Sequence, residues 1–174
     1  ILDLATGGGD IPIAMWRKAR RHGFNIEMHG CDVHPQAVRF ARDNAARAHA
    51  DVTFFEHDVV SNGPPGGYDV ILCSLFLHHL DASEATALLR GLAESENKLV
   101  VVNDLARSSI HLALAVIACH TLTRSDVVHF DGPASVRASF TLAETKAMVD
   151  QAGMKHAVYT RHWPFRWRMV WQRS

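Results

Sequence analysis

Ile1-Leu2-Asp3-Leu4-Ala5-Thr6-Gly7-Gly8-Gly9-Asp10 opens the chain, and the reading of this stretch decides the fold. Ile1 to Ala5 reads as a short strand, and Thr6-Gly7-Gly8-Gly9 as a tight turn. Asp10 then stands as N-cap of a helix with Pro12 in its first turn, where the missing N–H costs nothing. That helix runs to about Arg21 and stops at Gly23. A glycine-rich turn between a strand and a helix lets backbone approach a ligand closely. By itself it is weak evidence, since a turn made of glycines and nothing more would look the same.

The pattern repeats along the chain. Ile26 to Asp32 reads as a second strand, and Pro35 opens a helix whose Val38, Ala41, Ala45 and Ala48 share one face. Val52 to Phe55 is a third strand, and Asn62 to Gly67 a loop. Val70 to Leu77 is an apolar run suited to a central strand buried on both faces. Ser83 is read as N-cap of a helix reaching Ala93, followed by a buried strand from Leu99 to Val102. A helix from Ser109 to Leu122 precedes a stretch, 123–139, read as irregular because of Asp131-Gly132-Pro133. Thr141 and Glu144 form a capping-box pattern for a helix ending at Gly153. The tail reads as two strands, His156 to Tyr159 and Phe165 to Trp171. In it Trp163, Phe165, Trp167 and Trp171 alternate as one buried face, with a homodimer contact as a secondary use. Alternating strands and helices predict an α/β, doubly wound, mostly parallel sheet, with an antiparallel edge strand near the C-terminus.

Composition narrows the class. The 174 residues suit a single domain, 1–174; they are 48% apolar and 21% charged, with 18 basic and 18 acidic residues. Zero formal net charge argues against a nucleic-acid surface, although Arg161, Arg166, Arg168 and Arg173 gather near the C-terminus. Cys31, Cys73 and Cys119 are widely spaced in apolar runs, with no zinc-ligand pattern, so no metal site is expected. No apolar run is long enough for a membrane span, and a reducing, cytoplasmic setting fits the cysteines. Because Ile1 falls inside the first strand, part of the N-terminal region is expected to be missing.

Open α/β sheets bind ligands outside the carboxyl ends of their strands, where the strand order reverses. Asp32 closes the second strand and Asp58 follows the third, so both carboxylates fall at that sheet end. Asp32 is placed to take both hydroxyls of a ribose, or else to cap the helix opened by Pro35. Asp58 is placed as a second ligand group or as a turn residue. The Tyr68–Leu80 segment runs into the same cleft and ends in His78 and His79.

Taken together, residues 1–10, Cys31-Asp32-Val33-His34-Pro35, His57-Asp58-Val59 and Tyr68–Leu80 resemble class I S-adenosylmethionine-dependent methyltransferases. The quinone-biosynthesis (UbiE-like) and related small-molecule enzymes are the nearest. The resemblance covers residues 1 to about 105 and implies a seven-stranded sheet with S-adenosylmethionine as methyl donor. It also implies a turn of Ala5, Thr6, Gly7, Gly8 and Gly9 against the methionine part of the donor, supported by Asp3. Asp32, with Val33 beside it, would hold the ribose, Asp58 and the Val59 backbone the adenine, and Ser74 would be a further cofactor contact. The family often has Gly where this chain has Ala5.

Transfer from a sulfonium demands alignment above all, and a base only for a neutral hydroxyl or amine. His78 and His79, at the lip of the cleft, are the candidates for that base, with a structural role as the alternative. Arg107, His111 and Arg137 are candidates for a small, partly apolar acceptor, read as a quinone- or polyketide-like phenol. His120 and Asp104 lie in the same region, and 123–140 is a candidate substrate cover. Two rivals remain. A nicotinamide-dependent oxidoreductase would want G-x-G-x-x-G, but the third glycine's position holds Pro12. A relative that binds the cofactor without turnover would show the same motifs.

Overall fold

A computed structural model describes residues 1–122 and 126–173, with the side chains of all of these except 115 and 117–131. Its elements are β1 (Leu2–Leu4), α1 (Asp10–Arg21), β2 (His29–Asp32), α2 (Pro35–Arg47), β3 (Thr53–Glu56) and β4 (Val70–Ser74). A single 3-10 turn (Leu77–His79) leads to α3 (Ala82–Glu94) and β5 (Leu99–Leu105). Then come α4 (Ser109–Leu122), α5 (Asp126–Ala138), α6 (Leu142–Gln151), β6 (Val158–His162) and β7 (Arg166–Gln172).

The sheet has seven strands in the order β3-β2-β1-β4-β5-β7-β6. The first five are parallel, and β7 runs antiparallel to both β5 and β6. The expected doubly wound architecture is therefore present. Its antiparallel strand is one in from the edge, and β6 forms the edge itself. The chain steps outward from β1 in one direction and then, from β4, in the other. That reversal between β1 and β4 opens a crevice at the carboxyl ends of the two strands.

Register explains the core. Phe55, Cys31, Leu4, Cys73, Val102, Met169 and Tyr159 form one row across all seven strands. This row packs with the apolar faces of α3 and α6 in the larger core, through Leu88, Leu89, Met148 and Val149. The opposite face carries Phe54, Gly30, Asp3, Leu72 and Val101 in register. There Phe54 packs with Ile13, Val38, Ala41 and Ala45 of α1 and α2.

Several local expectations are corrected. Gly9, at φ 76, is the N-cap of α1, and Asp10 is its first helical residue, where its charge still favours the helix dipole. Asp81, not Ser83, caps α3: it accepts from the backbone of Ser83 and Glu84, while the Glu84 carboxylate accepts from the Asp81 N–H. β4 stops at Ser74 because Leu75 turns to φ 55, and β5 continues to Leu105. The stretch read as irregular is largely α5, which runs through a buried Pro133 and lies against α4 and the Leu77–His79 turn. Residues 123–125 and the side chain of His120 fall outside the described residues. The capping box at Thr141 and Glu144 is present as expected. In the tail, Trp167, Met169 and Trp171 make the buried face. Phe165 and the fully exposed Trp163 belong to the hairpin.

Gly30, in the middle of β2, leaves no room for a side chain. A Cβ there would lie 2.8 Å from the Phe54 ring and 2.9 Å from Thr6 Oγ1. Gly30→Ala is therefore expected to lower stability by about 1–3 kcal/mol, the usual cost of overpacking. Urea denaturation of Gly30→Ala, Phe54→Leu and the double variant tests this: the alanine should cost less beside the smaller side chain. Equal costs in both backgrounds would show that Phe54 is not what excludes the Cβ.

Candidate active site

The first turn is held from three sides. Thr6 N–H donates to Cys31 O at 2.9 Å, Gly7 N–H to Asp32 Oδ2 at 2.9 Å, and Gly9 N–H to Thr6 O at 3.0 Å. From α2, Asn44 Nδ2 donates to Gly8 O at 2.8 Å. A Cβ on Gly9 would meet the Phe54 ring at 2.7 Å, so glycine is required there on two counts, space and positive φ. Ala5 carries φ 51, a conformation in which a Cβ is strained, and glycine would relieve it.

Asp32 is buried, and each of its oxygens has a backbone donor. Oδ2 accepts from Gly7 and Oδ1 from His34 N–H at 3.0 Å. Asp32 does not cap α2 itself: His34 is the N-cap, and Asp32 holds that residue through its backbone N–H. A carboxylate has about four acceptor positions, so about two stay open. Asp58 is half-buried and likewise engaged in its own turn, accepting from Val60 N–H, Ser61 N–H and Ser61 Oγ. The Ser61 hydroxyl and these N–H groups hold its carboxyl below the usual value.

These residues border a cavity of about 600 Å³ at the carboxyl ends of β1, β2, β3 and β4. Ala5, Asp32, Val33, Asp58, Val59 and His79 all line it. Sequence reasoning missed His34, His57, Val60, Ser61, Leu75, Phe76 and Leu80, which complete the wall. Two strained residues, Ala5 and Leu75, sit on this one cavity. Non-glycine residues at positive φ cluster where a site over-determines its backbone. Thr6 and Gly7 to Gly9 form the adjoining turn, and Ser74 ends β4 just before Leu75.

The two histidines separate. His78 is buried, its Nδ1 2.6 Å from Asp104 Oδ1, and its N–H donates to Asp104 Oδ2 at 3.3 Å. This pair clamps the 3-10 turn to β5. His79 faces the cavity, its ring 4.2 Å from that of His78. Desolvation, reinforced by the charge of His78, pushes His79 below the ordinary histidine value. A neutral imidazole at a cavity wall can accept a proton.

The acceptor candidates lie elsewhere. Arg107 pairs with Glu144, and Arg107 and Arg137 border a hollow of about 360 Å³. His111 stacks on Phe165 at 4.7 Å, with Nδ1 3.0 Å from Ala106 O. None of the three lines the cavity at Asp32. Among the described residues no cluster of three or more metal-ligating side chains occurs, and no helix is long and apolar enough to cross a membrane.

Residues 1–98 match the family described as "Methyltransferase domain", and the chain belongs to that family. It is similar to the ribosomal protein L11 methyltransferase of Burkholderia lata, 29% identical over 113 residues, which is 65% of this chain and 34% of that protein. The chain thus spans about a third of the length of the curated relatives it matches. Among solved structures, PigF with SAH aligns at TM-score 0.73 and 19% identity, over 99% of this chain and 50% of that one. Magnesium protoporphyrin IX methyltransferase from Synechocystis PCC 6803, with bound SAH, aligns at TM-score 0.69 and 19% identity, over 99% and 73%. Both are likenesses of fold.

Beneath the turn, Asp3 is buried; Thr6 Oγ1 donates to its Oδ2 at 2.8 Å, and its Oδ1 has no partner. Burial pushes its carboxyl up to about 7, against an opposing hydrogen bond from Thr6. A carboxyl whose pKa rises on folding favours the folded state when protonated. Its contribution is complete below about pH 4 and is lost as pH climbs through about 7. Asp3→Asn should remove this slope, so the variant should gain on wild type by up to roughly 4 kcal/mol between pH 4 and 8. Parallel urea stability profiles across that range would contradict the assignment.

Proposed function

We propose that the chain is the donor-binding core of an S-adenosylmethionine-dependent methyltransferase. It would act on an oxygen or carbon of a small, partly apolar acceptor, such as a quinone- or polyketide-like phenol. One observation carries the reading: Asp32, bonded to the glycine turn, faces a cavity at the point where the sheet's strand order reverses. Family membership supports it.

The residues fit the donor. Asp32 keeps acceptor positions for a ribose diol, and Asp58 offers a carboxylate across the same cavity. Val33, Val59, Phe76 and Leu80 give apolar walls for a flat base. Asp3, with one oxygen unpartnered beneath the turn, favours a cationic group lodged on that turn. Such a charge would draw off the proton that burial retains on Asp3. S-adenosylmethionine, when bound, supplies an electrophilic methyl group on a sulfonium.

The chain's own work is positioning and proton handling. The turn, tied by Asp32 and Asn44, keeps its geometry without reorganising, and alignment of this kind can remove about 7–11 kcal/mol of barrier. His79 is the proposed base: it faces the cavity, and its lowered pKa keeps it able to take a hydroxyl proton near neutrality. His78, locked to Asp104, is the proposed positioning residue that orients the turn carrying His79. α5, lying against that turn, is the proposed substrate cover in the 123–140 segment.

Titration calorimetry with S-adenosylhomocysteine tests the reading. Wild type should bind it in preference to NAD. Asp32→Ala should weaken it by about 1.5–3 kcal/mol, the range for a charged hydrogen bond. A thermal melt of the variant checks that it is folded. Undiminished affinity in a folded Asp32→Ala protein would remove the proposed ribose ligand.

A further inference from the structure

His57 borders the Asp32 cavity just past the end of β3, one residue before Asp58. It is bonded through both backbone and ring. Its backbone N–H donates to the Asp32 carbonyl at 3.0 Å. Its ring Nε2 lies 2.8 Å from the carbonyl oxygen of Gly63, six residues on. A carbonyl only accepts, so Nε2 carries the hydrogen and the tautomer of the neutral ring is fixed. The Phe55 ring meets the imidazole edge to face, with centroids 6.4 Å apart.

The side-chain bond spans a single turn. Within it, Asp58 accepts from Val60 N–H, Ser61 N–H and Ser61 Oγ, and Asn62 N–H donates to Asp58 O at 3.0 Å. The chain entering this turn is tied to β2 through Asp32 O, and the chain leaving it returns to His57 through Gly63 O. Pro64 then seats on α3, where a Cβ on Gly91 would come within 2.9 Å of the Pro64 Cδ. His57 thus stands between two carboxylates, bonded by backbone to the residue of one and closing the turn that carries the other. Asp58, Val59, Val60 and Ser61 of that turn wall the cavity. A hydrogen bond weakens steeply as its geometry departs from ideal, so an acid on a loose turn would select poorly. A clasp across the turn sets the place of Asp58 before a ligand arrives and removes the cost of ordering it on binding.

We infer that His57 is a positioning residue that clasps the Asp58 turn and thereby sets the selection of adenine in this cavity. The clasp stands on bonds within the chain; that the selected base is adenine rests on the function proposed above.

The clasp is tested without ligand, by amide hydrogen exchange. His57→Ala should speed exchange at Val60, Ser61 and Asn62 by about fivefold or more, while the N–H groups of β1 and β2 keep wild-type rates. His57→Gln, whose amide N–H replaces Nε2–H, should restore the protection. Should alanine unfold the chain, His57→Phe, a ring without the donor, takes its place. Wild-type protection of the turn in the variant without the donor overturns the proposal. Selection is read by titration calorimetry with S-adenosylhomocysteine and with its analogue in which purine, lacking the 6-amino group, replaces adenine. Wild type should prefer the first by about tenfold or more, as expected for one charged hydrogen bond. His57→Ala should lose most of that preference, and His57→Gln should keep it. An unchanged preference in His57→Ala, or an equal loss of both ligands, overturns the proposal. Should wild type bind neither ligand, the donor reading fails and takes the adenine selection with it, while the exchange arm still decides the clasp.

Discussion

The carboxylate of Asp32 joins two turns that belong to different strands. One oxygen holds the N–H of Gly7 after β1, and the other the N–H of His34 after β2. Because the group is buried, neither bond competes with bulk water, and losing the side chain would strand two donors at the sheet edge. The turn after β1 cannot drift relative to the start of α2, and Asn44 from that helix ties it again at Gly8. Two backbone bonds on one carboxylate still leave about two acceptor positions open. The backbone bonds fix where the remaining lone pairs point, which is the condition for a preorganised site.

The same logic works beneath the turn. Phe54 from β3 slides its ring under Gly30 and against Gly9, and Thr6 occupies the rest of the space that a side chain on Gly30 would need. Thr6 in turn bonds Asp3, leaving one carboxylate oxygen unsatisfied in a dry place. On the other side of the crevice, the buried His78–Asp104 pair sets the turn after β4 upon β5. Two polar pairs therefore flank the crevice, one at β1 and one joining the turn after β4 to β5.

Much of this was legible in residue types. Val70 to Ser74 reads as a buried strand because nothing polar interrupts it, and Thr141 with Glu144 announces its helix. Asp32 and Asp58 fall at the right sheet end by strand counting alone. What escaped depends on partners far away in the chain. Gly30 matters for the side chain it lacks, and that is visible only once Phe54 lies beside it in register. His78 and His79 are identical in sequence context, and only Asp104, 26 residues on from His78, distinguishes the buried ring from the exposed one. Gly132-Pro133 reads as a breaker, yet the helix runs through it with Pro133 buried, tertiary packing overriding a local penalty of about 3 kcal/mol. The Asp81 cap was readable, since Glu84 stands three residues later in the capping-box pattern.

The cavity at Asp32 carries the account, and a crystal structure of the chain with S-adenosylhomocysteine examines it most directly. Adenosine should lie between Val33, Val59 and Leu80, with both ribose hydroxyls within hydrogen-bond distance of Asp32. Adenosine bound elsewhere, or a crevice without it while Asp32 serves only Gly7 and His34, would contradict it.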